Sequence, residues 1–496
     1  MKQSELIVKN LLAGGVAVGI GGLLQTVAII LVARYVSVSM FGTYSFILAF
    51  AMFFQFVADS GVSNILMRDL AVSPERMAET LGGALWLSWL LSIGVGLVMG
   101  GIIPFFHFSS QVKLLTAIMG INCLSNFPCG CWGAVLRSQE DNELHAAGFL
   151  LHKILFLTLI YFSLRAGMGL TGIVFAHLIP NLIQWWFYRW LVLNYYVRPR
   201  MDWNPRLWKY LFVTSLPVGG ATMVRMLAQQ VDVIILAWLT DLRTVGLFSG
   251  PYRITMALRF IPQTISIPLY PVYSRLASSP DSREQFQAAY ERGIKFFLFA
   301  GFLIATGFLI VSGKLTTFLL GARYQPAAPA MQLLGVGFLP FFVGNPLQFV
   351  LTARNDQRFL FNSVALSFLA RVALDFCLIP FLGFFAPCIA FLLSEILIVV
   401  LSVQRLWLDD IKLNLSMLLW RPALASLGMA LVLYPFRNSS WSLLIPVGAA
   451  SALIYVIALV SLGSISGTDR QLLREGAGFV RPLLARFAMQ AQRKAT

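Results

Sequence analysis

The chain has 496 residues, of which 58% are hydrophobic and 12% charged, with a formal net charge of +16. Soluble domains carry about 25% charged residues, so this composition excludes a string of water-soluble domains. The 37 Lys and Arg, set against 21 Asp and Glu, sit in short segments between apolar runs, which argues for membrane loops rather than a nucleic-acid-binding face.

A bilayer core about 30 Å thick takes roughly 20 apolar residues per helix. In chain order, spans are expected at 11–33, 41–62, 81–106, 114–136, 145–164, 170–190, 210–240, 246–272, 293–312, 327–352, 359–380, 384–404, 416–435 and 441–463. The first run holds 23 residues without a charge, longer than the apolar stretch of about 7–15 in a signal peptide, and reads as a retained helix. The third, 81–106, also has no charge, whereas the ends of the second are blurred by Gly42, Asp59 and Gly61. Pro217, Pro262 and Pro346 fall inside spans, where neighbouring helices accommodate the broken backbone bonds.

With the N-terminus inside, 25 Lys and Arg fall in inner loops and tails, 7 in outer loops and 5 within spans. That asymmetry predicts both termini in the cytoplasm. The segment 30–45 aligns with 234–249 at an offset of 204, pairing Gly42, Tyr44 and Ser45 with Gly246, Phe248 and Ser249. Leu136–Asp141 aligns with Leu351–Asp356, and 169–176 with 383–390. These matches predict an all-α integral membrane protein of about 14 transmembrane helices. It would contain two six-helix bundles in parallel orientation, 1–193 and 210–404, a pattern of transporters, and two extra C-terminal helices at 405–463. The linker 194–209 is basic and broken by Pro199 and Pro205. The tail 464–496 spaces Leu472, Leu473, Phe479, Leu483, Leu484 and Phe487 as on an interfacial amphipathic helix, though Gly476, Gly478 and Pro482 weaken it.

A family likeness rests on Lys9-Asn10-Leu11, Ala33-Arg34-Tyr35 and Phe41-Gly42-x-Tyr44-Ser45, on Val231-Asp232-Val233 with Val245-Gly246-Leu247-Phe248-Ser249 and Tyr252-Arg253, and on 466–473. The chain resembles polysaccharide-biosynthesis flippases of the multidrug/oligosaccharidyl-lipid/polysaccharide exporter superfamily. The resemblance implies two bundles around a central cavity in a bacterial inner membrane. It implies, as substrate, an undecaprenyl-diphosphate-linked oligosaccharide moved between leaflets, with polysaccharide polymerase and assembly proteins as partners besides membrane lipids.

A charge at the bilayer centre costs about 2.5–3.5 kcal/mol on insertion scales, so buried charges need reasons. Arg225 and Arg259 lie deep in spans seven and eight, with Arg253 shallower. Guanidinium forks match phosphate oxygens, which makes these three candidates for a cationic, diphosphate-binding cavity in the second bundle; pairing with carboxylates is the plainer alternative. Arg371 and Asp375 stand four residues apart, the spacing of an intrahelical ion pair. Glu395, mid-span without a same-helix partner, is the candidate for proton or Na⁺ coupling, with Asp375 and Arg371 beside it; a partnership with Arg371 is its structural alternative. Lys153 is expected to snorkel to the interface, and His152 and His177 to be hydrogen-bonded in the interior. Cys123, Cys129 and Cys131 lack a fourth neighbour for a thiolate site and read as small packing residues. No nucleotide-binding loop or zinc spacing occurs, so neither a cofactor nor an enzyme is expected. A drug/cation antiporter of the same superfamily and a polytopic glycan polymerase or ligase remain as alternatives.

Overall fold

The computed structural model describes residues 3–59, 61–278, 282–409, 411 and 415–465. The tail expected to form an interfacial helix lies outside these residues. The regular structure described is helical throughout: α1 (Gln3–Tyr35), α2 (Val38–Asp59), α3 (Val62–Val72), α4 (Met77–Ile102), α5 (Ser110–Ser138), α6 (Asn142–Arg165), α7 (Gly169–Tyr195), α8 (Pro205–Leu239), α9 (Leu242–Ala257), α10 (Phe260–Ala277), α11 (Arg283–Leu320), α12 (Ala328–Ala353), α13 (Gln357–Leu382), α14 (Ala386–Leu408), α15 (Leu415–Leu433) and α16 (Trp441–Ser461), joined by short 3₁₀ turns.

Among the described residues, 12 stretches are long and apolar enough to cross a bilayer. One of them, Gln357–Leu408, holds both α13 and α14, parted by the turn Gly383–Phe385. The protein is therefore a multi-pass helical membrane protein. The expected eighth span is divided instead: α9 and α10, of 16 and 18 residues, meet at Leu258 and Arg259. Pro262 supplies the cause, because its ring collides with the carbonyl four residues back and it has no N–H to donate. The backbone there tightens to three-residue bonds, Leu258 N to Thr255 O and Arg259 N to Met256 O, at 3.0 and 3.1 Å. A second break separates α2 from α3 at Gly61, whose φ of 85° is left-handed and suits glycine.

Helices α1–α7 pack chiefly on one another, as do α10–α14, while α8 and α9 pack on both groups. The hairpin α15–α16 leans on α11, with the Tyr455 hydroxyl donating to the Phe299 carbonyl at 2.9 Å. The linker 194–209 is bound rather than loose: Arg200 N donates to Ala78 O at 2.8 Å, and Trp86 Nε1 to Met201 O at 3.1 Å. Asn204 then caps α8 by accepting from Leu207 N, with Pro205 at the first helical position, where a missing N–H costs nothing.

The two groups of helices meet mainly where α2 crosses α9 and α8. Gly42 on α2 lies against the Leu242 carbonyl, and Gly246 on α9 lies against the Val38 carbonyl. The two contacts are reciprocal at the 204-residue offset seen in the sequence. A Cβ at either glycine would overlap backbone oxygen, so this crossing admits no larger residue.

Candidate functional site

Two polar spaces lie on either side of a partition made by Gln229 and Tyr252, which line both. The Tyr252 hydroxyl donates to the Gln229 carbonyl at 3.2 Å, joining α9 to α8.

The larger space, about 600 Å³, lies among α1, α2, α5, α6 and α7, with α8 and α9 as its remaining wall. Its polar lining includes eight carboxamides: Gln25, Gln55, Asn122, Asn126, Asn181, Gln184, Gln229 and Gln230. A primary amide offers two donors and an acceptor, and Gln25, Asn122, Asn181, Gln184 and Gln229 spend part of that capacity inside the protein. Asn181 Nδ2 donates to Asn122 Oδ1 at 2.7 Å, and Gln184 Nε2 to the Tyr188 hydroxyl at 3.1 Å. The charged lining residues are Lys153, Arg137, Arg253 and Asp59, an excess of two cations over carboxylates.

Lys153 does not snorkel outward. It lines this cavity, donating to Gln25 Oε1 at 3.0 Å and standing 5.4 Å from the centre of the Phe149 ring. The ammonium finds a carbonyl and an aromatic face close by, so the path to the interface is not its only source of polar contact. Arg253 Nη2 reaches the Ser45 carbonyl at 3.5 Å and its guanidinium sits 5.7 Å over the Tyr44 ring, but its Nε has no partner. His177 Nε2 shares a 2.9 Å hydrogen bond with the Tyr44 hydroxyl, as expected of an interior histidine, whereas His152 Nε2 has no partner. Cys129 and Cys131 are buried free thiols; the side chain of Cys123 lies outside those described. No cluster of metal-ligating side chains is found among the described residues.

The smaller space, about 20 Å³, brings together Arg225 of α8, Arg259 at the α9–α10 break, Arg371 of α13 and Glu395 of α14. It holds about one water molecule, too little for a diphosphate in this conformation. Glu395 is within Coulombic reach of both Arg225 and Arg259. Arg259 also stacks 4.8 Å from the Phe341 ring.

Arg371 does not form the expected ion pair with Asp375, nor one with Glu395. It makes a two-pronged bond to Asp232 of α8, Nε to Oδ1 at 2.7 Å and Nη2 to Oδ2, with both side chains buried. The packing of α13 on α8 presents a carboxylate face-on to the guanidinium, a bidentate geometry not made by the intrahelical spacing here. Asp375 lies nearby, fully buried, with neither carboxylate oxygen receiving a hydrogen bond. Three guanidinium groups, Arg225, Arg259 and Arg371, thus face three carboxyl groups, Asp232, Asp375 and Glu395. The larger cavity, across the partition, carries more cations than carboxylates, and Arg253 is the one of the three candidate arginines that lines it.

Reasoning from buried charge does not reach the carboxamides. Their signal was nonetheless present: Gln25, Gln55, Asn122 and Asn181 each interrupt an apolar run.

No curated protein sequence matches the chain. Among solved structures, the fold is similar to the lipid II flippase MurJ in an inward closed conformation, at a TM-score of 0.73 and 16% identity over 90% of this chain and 98% of that one. It is also similar to an inward-facing multidrug resistance MATE family transporter of the MOP superfamily, at 0.67 and 14% over 79% and 95%. A MOP superfamily transporter from Pyrococcus furiosus, described with a binding pocket of reverse polarity, follows at 0.58 and 15% over 84% and 99%. Residues 7–277 match the family described as polysaccharide biosynthesis protein, and with more than half of its length so matched, the chain belongs to that family.

Proposed function

We propose that the protein is a flippase that carries a lipid-linked oligosaccharide across a bacterial inner membrane, with fourteen crossings and both termini in the cytoplasm. The headgroup occupies the carboxamide-lined cavity and the lipid diphosphate its cationic side. The observation that carries this reading is the chemistry of that cavity: eight amides with an excess of two cations. Moving a sugar out of water forfeits hydrogen bonds that an apolar lining cannot return, and amides can both donate to and accept from hydroxyl and acetamido groups. A drug/cation antiporter would concentrate carboxylates where this cavity concentrates cations. MATE-like fold similarity alone leaves that alternative standing, and the lining speaks against it.

The diphosphate first meets Arg253 on the partition. Arg225 and Arg259 engage it when the second group of helices opens beyond the space of one water, moving both away from the field of Glu395. Asp375, Arg371 and Glu395 are then the groups whose protonation or cation binding couples to that opening. A polysaccharide polymerase and assembly proteins would act on the product.

In liposomes, the purified protein is expected to expose a labelled lipid-linked oligosaccharide to the far leaflet with its mass unchanged. The double variant Lys153→Gln/Arg253→Gln should lower the rate by about tenfold or more, equivalent to about 1.4 kcal/mol. Arg225→Gln/Arg259→Gln should do the same, and Arg→Lys at those positions should recover part of it, because Lys keeps charge but not the two-pronged fork. Wild-type rates in both double variants would remove the cationic-cavity mechanism, and a product of altered mass would turn the protein into an enzyme.

A further inference from the structure

A third cavity, about 440 Å³, opens on the outside of the helix assembly where α7 runs into the linker. One face of α7 supplies Trp186, Arg189, Trp190 and Leu193, spaced three and four residues apart so that they form a single stripe. Arg198 closes the cavity from the linker. The chain folds back there because Tyr196 N and Val197 N both donate to Val192 O, at 3.1 and 3.0 Å, and the next turn is pinned by the Arg200–Ala78 backbone bond. Arg198 therefore stands on a backbone fixed on both sides.

The chemistry of this cavity is one-signed. No carboxylate lines it, and neither Arg189 nor Arg198 forms an ion pair among the described residues. Asp141, on the α5–α6 turn, is already engaged by the Tyr196 hydroxyl. The Arg189 guanidinium is steadied 5.5 Å over the Trp185 ring. Trp186 and Trp190 are 59% and 41% exposed. Exposed tryptophans of this kind mark the level of lipid headgroups, and basic pockets beside membrane helices bind acidic lipid headgroups.

We propose that this cavity binds the headgroup of one anionic phospholipid, its phosphodiester held by Arg189 and Arg198 and its glycerol end resting on Trp186, Trp190 and Leu193. Two forks suit the two free oxygens of a phosphodiester. A zwitterionic lipid has the same phosphate but adds an ammonium, which no carboxylate in the lining receives and which the two guanidinium groups repel. The bound lipid joins the linker to α7, so it fastens the connection between the two halves of the chain, whatever the transport cavity carries.

The test uses the full-length protein, purified and delipidated in detergent, with thermal unfolding and native mass spectrometry as readouts. Phosphatidylglycerol is expected to raise the unfolding temperature and to stay bound as one lipid, with an affinity about tenfold or more above that of phosphatidylcholine. Arg189→Gln/Arg198→Gln should abolish that preference while folding normally in phosphatidylcholine. Arg189→Lys/Arg198→Lys should keep part of it. Arg206→Gln, which removes a linker charge outside the cavity, should behave as wild type. Equal responses to both phospholipids, a full phosphatidylglycerol response in the Gln double variant, or loss of the preference in Arg206→Gln would each overturn the assignment.

Discussion

Asp232→Asn is expected to destabilise the protein by about 3–5 kcal/mol, the cost of leaving one member of a buried ion pair without its partner. The Arg371 guanidinium would remain 4% exposed, with one amide oxygen in place of two charged acceptors. Asp375 cannot substitute without reorganising, since its oxygens receive no hydrogen bond in the present arrangement. Arg371→Gln should cost a similar amount by stranding Asp232. The double variant Asp232→Asn/Arg371→Gln should recover much of the loss, because two neutral amides can bond each other and neither position is left as an unpaired charge. Thermal unfolding of the four proteins in one detergent completes the cycle. A pair that contributed only surface electrostatics would give single-variant losses below about 1 kcal/mol, and that result would contradict the buried bidentate geometry.

The second large effect is expected at the crossing of α2 and α9. In Gly246→Leu the new side chain starts where the Val38 carbonyl stands, and in Gly42→Leu where the Leu242 carbonyl stands. Backbone cannot rotate away as a side chain can, so the two helices must separate at that end. The disturbance falls on the seam between the halves and leaves each group's own packing in place, so the protein should still fold and reach the membrane. Transport should cease. A cysteine placed in the cavity lining by Met52→Cys should become at least about tenfold more reactive toward a membrane-impermeant maleimide added at the α2–α9 end. Gly96→Leu, at a position with open space around it, serves as the control and should transport normally. Unchanged labelling together with normal transport in Gly246→Leu would show that this crossing does not close the cavity.

The sequence made the helices legible because a bilayer demands long apolar runs, and those runs dominate a chain with so few charges. It made the α9–α10 break legible in part, through Pro262, whose effect four residues back is a local rule. The partner of Arg371 was not legible. Asp375 stands at helical spacing from it on the same helix, and Asp232 is distant in sequence; only the packing of α13 against α8 decides between them. The sorting of charges between the two spaces was not legible for a related reason. Depth in a span identifies a buried arginine, but not whether a carboxylate faces it from another helix. In the second group of helices, Arg225, Arg259 and Arg371 each have carboxyl groups nearby, whereas Lys153 and Arg253 are left in excess across the partition. The amides at Gln25, Gln55, Asn122 and Asn181 were visible in the sequence, and their convergence on one volume was not.

The broken span around Arg259 gives the molecule a crankshaft. Its upper arm, α9, is clamped to α2 by the glycine crossing, while its lower arm, α10, rides on α12 and α11. An unbroken helix would have to bend along its length for one arm to follow each half, straining many hydrogen bonds a little. Here the turn is confined to Leu258 and Arg259, where Pro262 has already removed the regular bond. The journal of that crank is a charged residue. Any change of angle between the arms must sweep the Arg259 guanidinium relative to Glu395 and the Phe341 face, so rotation and the release of positive charge are geared together at one residue.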